Sequence, residues 1–568
     1  MESPPLVRAW ADRLGQFRFA PRAGWGATAV SALQTGDVPD PQDLPAETHG
    51  TGMQDTAFLR RPALLGLVAI IAIIIGASQP TSPFALKTTG AWFFGLPGPG
   101  ASTGGLLLGM VTVYGGMLLL VKVWYDLARQ LARRPGVRVR SLAIVGAIWI
   151  LPLLLAPPLF SRDVYSYAAQ GEMISHHISP YLYGPNVLGA SPYNASVDPF
   201  WGNSPAPYGP LFLGLDGGLV NLVGHRVLAT VVGLRLMAVA GVGLVAWFIP
   251  RLARAYGRDP AQAFLLAVLN PVTLLHLVGG AHNDALMIGL LVAGVTLAKE
   301  GRPLVGIILC SLATAVKVPA AVGVVYIGWE WIGSHVSWRE RVRPVVTAAI
   351  ASVAVMAGLS AITGLGWGWL WALGTPGTVR SVMAPVTDIG ELAGALVHLA
   401  GLGISGTTVL TVVRVLGLAG AAGIGLLMLW NSERLGSLKA MAITLLAFVW
   451  LAPVVQAWYV AWGLVLLAPV AAGRLRSLLI ALAVGVTLFE TQGGAPLLDG
   501  LHHSSTAALL LAAVVLAIIP GTPVAHWARR AWARSQARNQ WRSAVLSKRA
   551  ESALGAPKRT VVGTATEG

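Results

Sequence analysis

A carboxylate at the start of a long polar segment is the first candidate for chemistry. Asp163 follows an apolar run and begins the longest polar stretch between apolar runs, residues 161–210. A carboxylate placed there can act as a general base toward a hydroxyl group. Its neighbour Arg162 is either a phosphate ligand or the partner of Asp163 in a structural ion pair. Side chains that can bind sugar hydroxyls follow in the same segment: Tyr165, Tyr167, Gln170 and Tyr208.

Two further polar clusters interrupt apolar sequence. His282, Asn283 and Asp284 stand together between two apolar runs, where a charged group must face protein or water rather than lipid. They are candidates for phosphate binding (His282) and sugar binding (Asn283 and Asp284), and a helix-capping role is the alternative for the last two. The late cluster comprises Gln456, Trp458, Tyr459 and Trp462. It either binds sugar or belongs to an interfacial aromatic belt.

Cations inside apolar runs form the third candidate group. Lys317 lies beside Pro319 in an otherwise apolar region, and Arg235 and Arg414 are embedded in apolar runs. An ionisable residue at membrane depth indicates function, and the natural partner of a cation is an anionic phosphate. We therefore predict that these three residues bind phosphate.

Metal and cofactor chemistry is not predicted. The adjacent pair His176-His177 suggests a metal ligand, but the sequence shows no convincing spaced partner for it. The single cysteine, Cys310, excludes disulfides and Cys-based metal sites. No Gly-rich phosphate-binding loop of the Walker type is present.

The composition is that of an all-α polytopic membrane protein. Hydrophobic residues make up 55% of the chain and charged residues only 11%, and the mean hydropathy is +0.66. The net charge of +16 comes from short Lys and Arg clusters between apolar runs and in the tail. That arrangement follows the positive-inside rule, so no nucleic-acid partner is predicted.

The order of apolar runs predicts which side the candidate residues face. The first three runs are 62–78, 103–121 and 141–160, and the basic segment 122–140 is predicted to be cytosolic. The large loop 161–210 after the third span is then external. Alternation gives about fourteen spans (12–14), with breaks near 316–319 and 388–405 that suggest half-spans. The predicted parts are a disordered cytosolic arm (1–57), a transmembrane domain (58–525) and a basic cytosolic tail (526–568).

An external carboxylate, cations at membrane depth and an aromatic loop fit transfer of a sugar from a polyprenyl phosphate. The lipid stays in the bilayer while its phosphate leaves, so cations must meet that phosphate at the interface. One base suffices for an inverting displacement by the acceptor hydroxyl. A flippase or transporter of a lipid-linked sugar is the alternative. The spans show no two-fold repeat, and this asymmetry favours the enzyme.

Four segments resemble a known family. They are LPLLLAPPLFSRDVYSYAAQ (151–170), APYGPLF (206–212), GAHNDALMIGL (280–290) and PVVQAWYVAW (453–462). In this order they resemble the actinobacterial α-(1→6)-mannosyltransferases of the MptA/MptB type, with the MptB branch closer, over nearly all of 60–520.

The resemblance implies a GT-C glycosyltransferase fold in the cytoplasmic membrane, with the active site on the extracytoplasmic side. It implies polyprenyl-phosphate mannose as donor and a phosphatidylinositol mannoside or lipomannan as acceptor, in assembly of the lipomannan and lipoarabinomannan core of the cell envelope. The position that matches the family's catalytic carboxylate is Asp163. The resemblance also implies metal-independent transfer. The sequence has Ala457 where the family commonly has Pro, which puts a kinked span there in question.

Overall fold

The computed structural model describes residues 52–78, 103–378 and 384–489. Within these ranges all regular structure is helical, as predicted. The first half contains nine α-helices and a π-helix: α1 Gly52–Ala77, α2 Thr103–Leu131, α3 Val139–Leu153, α4 Asp163–Ser175, α5 Pro210–Leu222, α6 Val227–Ala255, α7 Pro260–Ala267, the π-helix Thr273–Gly279, α8 Asp284–Lys299 and α9 Pro303–Val316.

The second half continues with α-helices of 4 to 25 residues. They are α10 Ala321–Glu330, α11 Trp338–Ile362, α12 Gly368–Ala372, α13 Thr375–Thr378, α14 Pro385–Leu399, α15 Gly406–Trp430, α16 Ser432–Leu435, α17 Ser437–Leu451, α18 Val460–Leu467 and α19 Gly473–Phe489. Short 3-10 turns at Pro185–Leu188, Val318–Ala320, Ala457–Tyr459 and Ala468–Val470 connect some of them.

The chain is a multi-pass membrane protein. Five helices among the described residues are long and apolar enough to span a bilayer, within α1, α2, α6, α11 and α15. The π-helix and α8 form a sixth candidate, bent by 114° at a short break. Other apolar helices have only 10–17 residues, so they reach across a bilayer only in combination. The count of about fourteen spans stays a prediction.

Two predicted boundaries differ from the structure. Helix α1 begins at Gly52, inside the segment 1–57 that we predicted to be disordered. Helix α2 continues to Leu131, ten residues beyond the predicted end of the second span at 121, so Lys122 and Arg129 are helical. Lys122 forms an ion pair with Asp126 one turn later, which lets the helix carry charge at its end. Residues 1–51 and the predicted tail 526–568 lie outside the described residues.

The predicted breaks in apolar runs are present. Helix α9 ends at Val316, Lys317 is extended, and the chain resumes in α10. The stretch 388–405 contains the end of α14 and the turn into α15. Helix α17 ends before Pro453, and a 3-10 turn at Ala457–Tyr459 precedes α18. The chain therefore breaks there although position 457 is Ala.

Small residues let α8 pack closely between α6 and α9. A Cβ atom on Gly289 would lie 2.4 Å from the carbonyl oxygen of Gly241 in α6. On the α9 side, a Cβ on Gly294 would lie 2.6 Å from the carbonyl oxygen of Gly306. Helix packing in lipid depends on such close approaches. They fix the position of Asp284, the first residue of α8.

Candidate active site

Asp163 begins α4 at the junction between the third helix and the large loop. Its backbone N–H donates to Ser161 Oγ at 3.1 Å, and its side chain is 14% exposed. Helix α4 is not among the candidate spans. Burial raises the pKa of Asp163 to about 7, and the positive charge of Lys317 opposes the shift only in part. A carboxylate with that pKa is suited to accept a proton near neutral pH.

His282 faces Asp163 from the break between the π-helix and α8. Its Nδ1 lies 3.8 Å from Asp163 Oδ2 and 3.5 Å from the Tyr167 hydroxyl. The imidazole stacks on Trp458 with ring centroids 3.7 Å apart. The preceding residue, Ala281, has a φ of +56°, which is unfavourable for a residue with a Cβ. A π-helix and a strained residue together often mark a functional site.

Lys317 and Asp284 form a buried ion pair. Lys317 Nζ donates to both carboxylate oxygens of Asp284, at 2.9 and 3.0 Å. Trp462 Nε1 donates to Oδ1 of the same carboxylate at 2.6 Å. The extended backbone of Lys317 at the break between α9 and α10 aims its side chain at the start of α8. The sequence suggested an isolated cation at position 317. In the structure the positive charge of Lys317 is instead balanced by the Asp284 carboxylate.

Aromatic rings surround the Lys317 ammonium group. The distances from Nζ to the ring centroids are 4.3 Å for Tyr459, 5.4 Å for Trp462 and 5.8 Å for Tyr208. Tyr208 is held there because Gly209 donates its backbone N–H to Val316. Contacts of a cation with aromatic faces stabilise a charge that has left water.

Several buried polar atoms in α4 and in the segments around His282 and Trp458 have no hydrogen-bond partner within the described ranges. Buried polar groups in proteins are normally paired, so a group of such atoms indicates where a polar ligand binds. They are Ser166 Oγ, Gln170 Oε1, His282 Nε2, Trp458 Nε1 and both amide atoms of Asn283. Neither Asn283 nor Asp284 caps α8 through its side chain, so the capping alternative is not supported.

The three predicted arginines bond to the protein itself. Arg162 donates to the carbonyls of Ser196 and Val197, which anchors the later part of the large loop. Arg162 is therefore not the ion-pair partner of Asp163. The groups near the Asp163 side chain and backbone are His282 and Ser161.

Arg235 and Arg414 are equally engaged in the fold. Arg235 is fully buried and donates to the carbonyls of Leu154, Ala156 and Gly279. Arg414 donates to Thr387 Oγ1 and the carbonyl of Gly377. A guanidinium group has five donors in a planar fork, so it readily satisfies carbonyls where helices end. The phosphate role predicted for these arginines has no support in their contacts.

The remaining predicted residues divide between core and site. Tyr165 is fully buried in α4 and interacts electrostatically with Arg235. Gln456 is buried in extended backbone just before Trp458. Trp462, predicted as part of the late cluster, contacts the site through its hydrogen bond to Asp284. Asp216, a fully buried carboxylate in α5, was not predicted, although an acidic residue in an apolar run is itself a signal.

Two regions of the chain match models of one known protein family. Residues 63–333 match the family described as "Alpha-(1->6)-mannopyranosyltransferase, N-terminal domain", and residues 386–520 match the MptB C-terminal domain. The chain belongs to the alpha-(1->6)-mannopyranosyltransferase family. Asp163, His282 and Lys317 lie in the first matched region, whereas Trp458 and Trp462 lie in the second. The site is thus built from both.

Curated members of the family are similar over most of their length. The alpha-(1->6)-mannopyranosyltransferase A of Mycobacterium tuberculosis is 35% identical over 72% of this chain and 81% of its own. A second M. tuberculosis alpha-(1->6)-mannopyranosyltransferase is 31% identical over 72% and 80%. The alpha-(1->6)-mannopyranosyltransferase B of Corynebacterium glutamicum is 30% identical over 74% and 75%. No solved structure matches significantly.

Family membership makes the chain a mannosyltransferase, as the resemblance implied. Its reaction needs a sugar donor and a glycolipid acceptor in a membrane. All these relatives are named as transferases, which gives no support to the flippase alternative. The C-terminal match is to the B type and one of the relatives is of the A type, so the two branches are not separated.

Proposed function

We propose that this mannosyltransferase moves mannose from polyprenyl-phosphate mannose to a mannoside glycolipid and forms an α-(1→6) bond with inversion. The acceptor belongs to the phosphatidylinositol mannoside and lipomannan class. Asp163 is the base that takes the proton from the acceptor hydroxyl. The observation that carries this proposal is a carboxylate with a pKa about 7 placed 3.8 Å from His282 at the mouth of a buried polar site.

The donor phosphate binds beside Lys317 and His282 in this proposal. Two of the three N–H groups of the Lys317 ammonium are used by Asp284, which leaves one for a phosphate oxygen. His282 Nε2 is buried without a protein partner among the described residues and can donate a second hydrogen bond. Asp284 orients the lysine and does not itself react. These two hydrogen bonds stabilise the negative charge on the departing polyprenyl phosphate.

In this proposal the hydroxyls of the mannose ring and of the acceptor form hydrogen bonds with the buried polar atoms that lack protein partners. Asn283 and Gln170 supply amide groups suited to sugar hydroxyls. Tyr167, Trp458 and Tyr459 supply ring faces and edges for sugar carbons. An α product formed by a single inversion requires a β-linked donor. The GT-C fold, about fourteen spans and an active site on the extracytoplasmic side of the cytoplasmic membrane belong to the same proposal.

The experiment compares two carboxylate variants in lipid nanodiscs. Asp163→Asn keeps the shape of the side chain but removes the base, so we expect transfer to fall by about 10²–10⁴-fold. Labelled polyprenyl-phosphate mannose and a synthetic mannoside acceptor report the rate, and NMR of the product reports the anomeric configuration. Asp388→Asn, at an exposed position in α14, is the matched control and should retain activity.

Three results would count against the proposal. Wild-type transfer by Asp163→Asn would remove the assigned base. Transfer from a nucleotide-activated mannose with none from polyprenyl-phosphate mannose would remove the donor. A β-linked product from a β-linked donor would replace inversion with retention.

A further inference from the structure

Two histidines and a glutamate meet at the C-terminal end of α4, away from Asp163. Glu172 Oε1 lies 3.1 Å from His176 Nε2, and Glu172 Oε2 lies 2.8 Å from His225 Nδ1. The three candidate ligand atoms all lie within 4.8 Å of one another. The sequence showed no convincing spaced partner for the adjacent pair His176-His177. Glu172 was one helical turn away, and His225 comes from a distant turn.

The fold brings these three side chains together through helix periodicity and one tight turn. His176 is the C-cap residue of α4, four residues after Glu172, so the two side chains lie on the same side of the helix end. After α5 the chain reverses through Gly224 and His225, whose φ angles are +65° and +55°. The N–H of His225 donates to Val220, closing the turn. Close packing of α4 on α5 sets the distance, since a Cβ on Gly171 would lie 2.8 Å from a backbone oxygen of α5.

The chemistry of this set is that of a zinc ligand set. Two imidazole nitrogens and one carboxylate oxygen are a common combination for Zn²⁺, with a fourth position left for water. The side chain of Glu172 is 10% exposed, whereas those of His176 and His225 are 58% and 46% exposed. A metal ion can therefore reach the nitrogens from solvent while the carboxylate is fixed by the fold.

We propose that Glu172, His176 and His225 bind a divalent transition-metal ion, with Zn²⁺ preferred. The ion links the end of α4 to the turn before α6. Glu172 comes nine residues after Asp163 in the same helix, which at about 1.5 Å per residue separates the two by roughly 13 Å. The metal therefore does not touch the reacting atoms, and it stabilises the helix that carries the proposed base. This assignment stands whether or not the proposed donor and base are correct.

The test measures zinc bound to the whole chain. Protein purified through a tag without histidine is treated with a chelator, exchanged into metal-free buffer and titrated with zinc chloride by calorimetry. Elemental analysis after desalting gives the stoichiometry. We expect one zinc ion per chain above the background, and a higher thermal unfolding midpoint with zinc than without it.

Two histidine variants provide a matched comparison. His225→Asn removes a ligand, whereas His177→Asn removes the neighbouring exposed histidine that is not in the cluster. Both positions have positive φ, at +55° and +57°, which Asn tolerates better than most residues. We expect His225→Asn to lose the zinc ion and the zinc-dependent rise in midpoint, and His177→Asn to keep both. Equal stoichiometry in the two variants, or no zinc in the wild type, overturns the assignment.

A measurement on the wild type covers the case in which His225→Asn does not fold. X-ray absorption at the zinc edge should show nitrogen and oxygen ligands at about 2.0 Å, with the scattering pattern of two imidazoles. A shell with fewer than two imidazoles would place the zinc elsewhere and overturn the proposal.

Discussion

Two buried cations that look alike in the sequence have different surroundings in the fold. Arg235 in α6 donates to three backbone carbonyls, from Leu154, Ala156 and Gly279. Lys317, at the break between α9 and α10, donates to the Asp284 carboxylate inside a ring of aromatic side chains. The first cation connects chain segments where helices end. The second is balanced by an acid next to unpaired polar atoms, which is the arrangement of a binding site.

Replacing Arg235 should have the largest effect of the changes considered, and the property affected should be the amount of folded protein. Arg235→Met removes hydrogen bonds from a charged donor, each worth about 1.5–3 kcal/mol, and leaves buried carbonyls unsatisfied. We expect little folded protein by size-exclusion chromatography in detergent. Arg235→Lys should recover part of the yield. A fully stable Arg235→Met protein with a raised KM for the donor would mean that Arg235 binds phosphate after all.

Replacing Lys317 should separate stability from activity. Lys317→Met leaves Asp284 as an uncompensated buried charge and should cost about 3–5 kcal/mol of unfolding free energy. The double variant Lys317→Met/Asp284→Asn removes both charges and should recover most of the thermal midpoint but not the mannosyl transfer. Active double-variant protein would show that the ion pair serves only the fold, like Arg235.

Trp462→Phe should have an intermediate effect. It keeps a ring near the Lys317 ammonium but removes the 2.6 Å hydrogen bond to Asp284. Loss of a bond to a charged group, worth about 1.5–3 kcal/mol, should lower kcat/KM by roughly tenfold or more. Phe448→Leu, beside Trp462, is a packing control with an expected smaller change. Equal losses in both variants would reduce the Trp462 effect to packing.

The pH profile should give the smallest but most specific difference. Asp163 acts as a base only when ionised, so kcat/KM should rise with pH and level off above a pKa about 7. Asp198 raises the pKa of Asp163 through its negative charge. Asp198→Asn should therefore move the acid limb to lower pH, by less than about one unit.

Arg235→Lys is the control for this pH profile. Arg235 is not among the charges that shift the pKa of Asp163, so its conservative variant should leave the acid limb in place. A limb that moves in Arg235→Lys but not in Asp198→Asn would contradict the electrostatic description of the site.

Much of the site could be predicted from local sequence. Asp163, His282, Asn283, Asp284 and Lys317 were identified because polar groups are costly in apolar surroundings and therefore stand out. The helical fold followed from hydropathy for the same reason. The number of spans could not be predicted from hydropathy, because several apolar helices have only 10–17 residues and combine in ways that hydropathy does not encode.

The roles of the cations and the His–Glu–His cluster could not be predicted. Arg235 and Lys317 have similar sequence surroundings, and only the packed structure shows that one meets carbonyls and the other a carboxylate. His225 lies 53 positions from Glu172 in the chain. No local pattern joins two such residues.

The sequence by itself determined that this chain is a membrane protein, which family it resembles, and which polar residues could act. These properties depend on the solvent preference and the order of side chains, both of which are readable along the chain. Tertiary structure alone decided which buried charges pair, which arginines serve the backbone, and which histidines meet a glutamate. Those outcomes depend on distances of a few ångströms between remote segments, and helix packing sets those distances.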